Sequence, residues 1–389
     1  MSVFIKALHK WLEILSSLKL TFLCLLGLLA LVFFGTLDQV NLGIYMTQKK
    51  YFHSVFVYLP LGSMRIPVFP GGLLIGTLLV LNLSVVTIKR RFFQRKKWGL
   101  LLIHVGLLLL LLGGGLTSLV GVETRVSIEE GETKRYAESL RQLELVFIRR
   151  DVNEDRVFSV PLSLIEKIGQ FEHPDLPFSL HTRAFVRNAA LSSGVKKGAA
   201  LPSATQGLGV GLQVVGIPPT FQDDQLNAET IVVDVVDKAS HVVGRWLFSR
   251  QIHDLQRIEI DGDTYNAILR PTRQYFSFDI TLKKFSHDRY PGTTIPKNFS
   301  SLVQIDDLES NTSRSFLIYM NHPLRYQGYA FYQASFGENS IGEADRLSIL
   351  QVVKNPSWLM PYISSALISL GLCWYFLERL IWFIRRRAR

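Results

Sequence analysis

The sequence predicts a membrane α-helical protein: four transmembrane helices plus a large β-rich extracytoplasmic domain, an antiparallel sandwich or partly open barrel. Three observations predict it. Four uncharged apolar runs each approach or exceed the roughly 20 residues that cross a bilayer. Lys and Arg gather in three short flanks of those runs. Between the third and fourth runs the chain alternates between apolar and polar residues and is rich in β-branched ones. The 389 residues are 48% hydrophobic and 19% charged, with a mean hydropathy of +0.21. That composition excludes full disorder. Two cysteines exclude a disulfide-stapled mini-protein, a four-cysteine zinc site and a CxxCH attachment site. The formal charge of +11 raises a nucleic-acid reading, and the position of the charge decides it.

The first segment, residues 1–19, carries Lys6, Lys10 and Lys19. The first span, 20–37, lies between Lys19 and Asp38. Phe33–Phe34–Gly35 is a poor cleavage site, so the span reads as an uncleaved helix rather than a signal peptide. An amphipathic outer loop, 38–67, holds Tyr45, Tyr51, Phe52, Phe56 and Tyr58. Such rings suit a helix at the headgroup level, or a surface that meets a partner's substrate. The second span is 68–88, and the loop 89–97 holds six basic residues and no acid. The third span, 98–122, contains LLLIHVGLLLLLLGGGL; the fourth, 355–377, precedes a basic tail, 378–389.

The three basic flanks together hold 14 Lys/Arg and only two acids, Glu13 and Glu378. They must share one side, and the positive-inside rule makes it the cytoplasm. Both termini are then inside and residues 123–354 outside, in a periplasm. The whole excess of charge meets anionic headgroups of the lipid bilayer, which removes the nucleic-acid reading. The large outer segment is close to neutral, so strong net-charge steering of a substrate is not expected.

Within residues 123–354, strands are predicted at Leu143–Ile148, Ser179–Val186, Thr230–Val236, Arg257–Ile260, Phe276–Phe285 and Phe316–Met320. Asp261–Gly262 signals a two-residue hairpin, and Val236–Val242 a second one. Asn188–Gly211 is rich in small residues and reads as a long loop. Its GLGVG is followed by no Lys-Ser/Thr and is not a phosphate loop.

His104 is the single ionisable residue inside the four apolar cores. Such a group is costly in lipid and needs a partner. It lies six residues past Trp98, roughly 9 Å into the helix at 1.5 Å per residue. A neutral imidazole there can ligate haem iron, or bond to a neighbouring helix. Gly113, Gly114 and Gly115, with Gly72 and Gly76, are expected to let helices approach closely. His53, His173, His181, His241, His253, His287 and His322 lack zinc-motif spacing. There is no GxSxG and no HExxH. Cys24 and Cys373 lie within spans and form no CxxC, so thiol-disulfide exchange is not expected.

Several stretches, in this order, resemble the ResB family, also called CcsB, of System II cytochrome c biogenesis. They are GTLDQVNLGIYMTQKKYF (35–52), IPVFPGGLLIGTLLVLNL (66–83), IHVGLLLLLLGGGLT (103–117), FSHDRYPGTTIPKNFSSLV (285–303), YMNHPLRYQGYAFYQASF (319–336) and VVKNPSWLMPYISSALISLGL (352–372). The resemblance covers most of the chain and is weakest near 152–250. It implies a haem-handling subunit in a bacterial inner membrane, or in a thylakoid relative, working with a CcsA-like partner that bears a tryptophan-rich WWD segment. The six tryptophans here are dispersed, so that segment would come from a separate chain. The family's third-span histidine falls on His104, which the resemblance implies is an axial ligand of haem b. Apocytochrome c is the implied second partner, with its CxxCH thiols adding to the haem vinyl groups. The chain itself is then a non-autonomous subunit of a holocytochrome c synthase with no complete catalytic site. Asn321, Pro323, Gly328 and Gln333 are expected to shape the outer fold. The alternatives are a membrane-anchored apocytochrome chaperone that binds no haem, and a structural subunit of a respiratory complex.

Overall fold

The computed structural model describes residues 2–62, 64–89, 97–151, 154–193, 202–220, 227–291, 296–307, 309–337 and 347–388. Most of the basic loop 89–97, at 90–96, lies outside the described residues, as does part of the small-residue stretch, at 194–201. The chain divides into two compact units: a helical one around residues 1–121 and 355–389, and a β-rich one around 122–220 and 226–354.

The helical unit begins with α1 (Ser2–Leu15), whose polar residues Lys6, His9, Lys10 and Glu13 recur at helical spacing. Four further helices are long and apolar enough to cross a membrane: α2 (Leu18–Tyr51), α3 (Gly72–Lys89), α4 (Trp98–Val120) and α6 (Met360–Arg387). Ser17 caps α2 by accepting from Lys19 N. Residues 38–51 of the outer segment are helical and continue α2, which reverses at Gly43 (φ 68°, ψ 169°). A straight helix would hold Asp38 and Lys50 about 18 Å apart. Here Lys50 Nζ lies 2.5 Å from Asp38 Oδ2, and Tyr51 Oη donates to the same oxygen at 2.8 Å. Glycine at 43 is what the left-handed φ demands. The returning arm buries Tyr51, while Tyr45, Phe56 and Tyr58 remain exposed. A hairpin of β1 (Phe56–Leu61) and β2 (Met64–Pro70) follows.

Two polar fasteners hold the helices. Asn82, 2% exposed within α3, donates to Leu15 O (2.6 Å) and Ser17 O (3.2 Å) and accepts from Thr21 Oγ1 (2.7 Å). It thus satisfies the carbonyls released where α1 ends and α2 begins. At the other end of the bundle, the Thr117 hydroxyl meets Ser357 Oγ (2.6 Å) and donates to Asn355 Oδ1 (3.3 Å).

The β-rich unit contains β3 (Val122–Glu129), β4 (Thr133–Arg150), β5 (Asp155–Pro161), the short helix α5 (Leu162–Ile168), β6 (Gln170–Glu172), β7 (Phe178–Val186), β8 (Ala189–Ser192), β9 (Gln213–Gly216), β10 (Thr230–Asp237), β11 (Val242–Ser249), β12 (Gln256–Ile260), β13 (Asp263–Arg289), β14 (Pro296–Asp307), β15 (Thr312–Tyr319), β16 (Leu324–Tyr326), β17 (Tyr329–Gly337) and β18 (Leu347–Lys354). Every pairing is antiparallel among the described strands. A ten-stranded sheet runs β15-β14-β13-β4-β3-β18-β17-β16, with β12 on β13 and β5 on β4, and it does not close into a barrel. A four-stranded sheet runs β11-β10-β7-β6. The predicted hairpins appear at Asp261–Gly262 (φ 54° and 84°) and where Val236 pairs with Val242. The small-residue stretch is not all loop. It forms β8, paired with β9, and its Gly209 packs against Leu247 of β11.

Two cores fill the unit. In the first, Leu145 and Phe147 of β4 and Tyr265 of β13 pack on Leu180, Val233 and Phe248 of the smaller sheet. In the second the large sheet curls over itself: Phe278, Ile280 and Leu282 of β13 meet Ile128, Ile305, Phe331 and Leu350. Alternation fixes the inward face up to Leu282. A bulge between Leu282 and Lys284 then shifts the register by one, so Phe285 turns inward.

The stretch 319–336 forms turns and strands of the β-rich unit. Asn321, Gln327 and Gly328 take left-handed turn conformations, and Gln333 Oε1 accepts from Ser301 Oγ at 2.6 Å. Asp307 accepts from Tyr326 Oη (2.6 Å), Gln327 Nε2 (3.1 Å) and two backbone N–H groups. The tyrosine hydroxyl and those amides hold its carboxyl down at about 2. A depressed carboxylate contributes stability above its unfolded value of about 3.9, and loses it as pH falls towards 2. Tyr326→Phe should therefore melt below the wild type at pH 6, and the gap should narrow by pH 2.5. A gap that stays constant across that range would show that Asp307 ionisation is not involved.

Candidate functional site

α4 is a leucine-rich helix opening at Trp98 and ending where Gly121 turns extended, with its N–H on Thr117 O. One face carries glycine every seventh residue: Gly99, Gly106 and Gly113 are all buried against α6. A side chain on Gly106 would come within 2.9 Å of Ser364 O, and one on Gly371 within 2.7 Å of Gly99 O. The backbones therefore touch, as small residues allow in spans. Of the glycines expected to serve packing, Gly113 does so against Met360 and Gly72 against the backbone of Phe52. Gly76, Gly114 and Gly115 meet nothing within 4 Å.

His104 is two residues from Gly106, about 200° round the helix, and so points away from α6. It is half-buried, and its Nδ1 lies 3.1 Å from Oγ1 of Thr87 on α3. Thr87 is 5% exposed, and its hydroxyl also reaches Leu83 O at 2.7 Å. The bond to a neighbouring helix that the sequence left open as one reading of His104 is therefore present. A neutral imidazole in apolar surroundings suits a metal held in a flat, mostly apolar macrocycle.

The remaining histidines are scattered. His53 Nε2 meets Ser118 Oγ at 3.0 Å, fourteen residues along α4 from His104 and so about 21 Å away. In the β-rich unit, the His287 ring lies tilted against Phe336 (4.3 Å) and His322 stacks on Tyr319 (4.7 Å), while His241 pairs with Asp237 (3.4 Å). Among the described residues, no three His, Cys, Asp or Glu side chains gather as a metal site. Both cysteines are free: Cys24 is buried in α2 and Cys373 exposed on α6.

Sequence reasoning missed three things here. Thr87 and Asn82 were available as two of the few polar residues of an aliphatic span. The Gly99–Gly106–Gly113 repeat was available as a period of seven.

Four membrane-length helices and an antiparallel β-rich domain define a membrane-anchored protein with one large extramembrane fold. Residues 256–347, from β12 to the start of β18, match the model of the ResB-like family. Protein NrfI of Wolinella succinogenes is 25% identical over 301 residues, which cover 77% of this chain and 29% of that protein. The chain thus spans under a third of the length of that relative. With these two findings the resemblance to the ResB/CcsB family is borne out.

Proposed function

We propose that the chain is a cytochrome c biogenesis subunit of the System II type, which carries haem b through the membrane with a CcsA-like partner. The observation that carries the reading is His104: an imidazole inside an apolar span, oriented by a hydrogen bond between its Nδ1 and the Thr87 hydroxyl. The family supplies the expectation that this position ligates haem iron. In this reading His104 provides one axial ligand and the partner's histidine the other. Two imidazoles hold the iron six-coordinate and limit access of oxygen. The haem carboxylates would face the basic flank joining α3 to α4, bounded by Lys89 and Lys97. Termini and basic flanks lie in the cytoplasm and the β-rich domain in the periplasm, where it helps present apocytochrome c. Each cysteine S–H then adds across one haem vinyl group, forming a thioether without net redox change. The protein contributes position and exclusion of water.

The test is the absorption spectrum of the chain co-purified with its multi-span partner. His104→Ala and His104→Gly should lose most bound haem, and added imidazole should restore part of it in the glycine variant. Unchanged haem content and spectrum in both variants would remove His104 from the site.

A further inference from the structure

α1 is too short and too charged to be a span. Its 14 residues are about 21 Å long, against a hydrocarbon core of roughly 30 Å. Its two sides differ. Lys6, His9, Lys10 and Glu13 are exposed, and helical spacing gathers them within an arc of roughly 100°. Ile14, Trp11, Leu15 and Leu12 fill an arc of roughly 160° on the other side. Three of these apolar groups are left open: Trp11 is 65% exposed, Ile14 48% and Leu12 37%. On the polar side the acid is Glu13, whose Oε1 lies 3.4 Å from His9 Nε2. At Ser17 the chain becomes extended (ψ 133°), so α2 does not continue the line of α1. Asn82 holds this elbow through Leu15 O and Ser17 O, and Lys89 Nζ donates to Ser16 Oγ at 3.1 Å. The open apolar side is thereby fastened beside two helices of membrane length, α2 and α3. Lys19 and Lys89, both exposed, stand at the same corner.

We propose that α1 is a surface arm that lies in the plane of the bilayer and binds anionic phospholipid. Trp11, at the centre of the apolar side, is seated among the upper acyl chains, and Lys6 and Lys10 take the lipid phosphates. Two alternatives are unfavourable on physical grounds. Water would leave three large apolar side chains uncovered on one side of a helix. The hydrocarbon core would strand Lys6, Lys10 and Glu13. The boundary between them suits both sides at once, and an indole is favoured there. Phosphate is the charge complement of the lysines, and each basic residue near an anionic surface adds to the attraction. An arm lying flat does not cross the bilayer, so it also fixes the depth at which α2 begins. None of this depends on haem or on a partner chain.

The experiment uses full-length protein in phosphatidylcholine nanodiscs. Brominated lipid quenches the fluorescence of a tryptophan it touches. The contribution of Trp11 is the difference between the wild type and Trp11→Phe, a conservative change at an exposed position. That contribution should be lost chiefly to bromine placed high on the acyl chain, and far less to bromine near the chain end. Stronger quenching from the chain end would mean a helix that dips through the core, and overturns the proposal. Quenching by neither lipid, because α1 stands in water or against protein, overturns it as well. A second comparison tests the charge. A minor fraction of brominated phosphatidylglycerol should quench Trp11 more than the same fraction of brominated phosphatidylcholine. The double variant Lys6→Gln/Lys10→Gln should lose that excess. Equal quenching by the two lipids in the wild type, or an excess that survives the double substitution, overturns the assignment of Lys6 and Lys10 to lipid phosphate.

Discussion

Gly106→Leu should separate α4 from α6 and cost about 1–3 kcal/mol or more. An added Cβ would meet Ile368 Cγ1 at 2.7 Å and Ser364 O at 2.9 Å. The second of these is backbone, so the strain cannot be relieved by turning a side chain. The helices must part, and the contacts of Gly99 with Tyr375 and of Gly113 with Met360 weaken with them. Gly114→Leu is the matched control. It adds the same side chain to the same helix, at a position where a Cβ meets nothing within 4 Å. It should change stability by no more than about 0.5 kcal/mol. Thermal inactivation of the two purified variants in the same detergent separates them. Equal behaviour would mean that the α4–α6 contact is not held by close backbone approach.

The glycines also show what the sequence makes legible. Spans are a matter of composition, so their number could be read directly. Strands with clean alternation, and a turn such as Asp261–Gly262, carry their own local signal. Helix-to-helix contact is different, because it depends on which residue of one helix faces which of another. Three adjacent glycines, Gly113 to Gly115, stand out by eye, but neighbours on a helix point in three directions, and only Gly113 reaches α6. The face that matters repeats every seven residues and is hidden by leucines at the intervening positions. Thr87 was hidden for the same reason. His104 could be singled out because charge in lipid is costly, yet its partner lies on another helix, seventeen residues away in sequence. The reversal at Gly43 was missed because a glycine inside a helical pattern does not announce its φ. The twin cores of the β-rich unit depend on where β4 and β13 change partners, which local alternation does not encode.

Phe278→Ala should be among the most damaging changes in the β-rich unit. The side chain is fully buried, with Tyr326, Tyr329 and Phe331 around it at ring-centroid distances of 5.0, 6.3 and 6.2 Å. Truncating such a phenylalanine costs about 3–5 kcal/mol, because apolar contact is lost and a cavity remains. For a domain of this size that lowers the melting temperature by on the order of 10 °C. The effect should not stay in the second core. β13 lends Tyr265 and Leu269 to the first core and Phe278 to Leu282 to the second, on one continuous strand. β4 likewise carries Ala137 in one core and Phe147 in the other. Neither core can lose its share of these strands while the other keeps its ladder. Pulse proteolysis of full-length Phe278→Ala should therefore release fragments from both halves, cut near β7 and near β17, at one denaturant concentration. Phe147→Ala, which strikes the first core, should give the same pattern. Two separate transitions would show that the shared strands do not couple the cores, and that residues 122–354 behave as two domains.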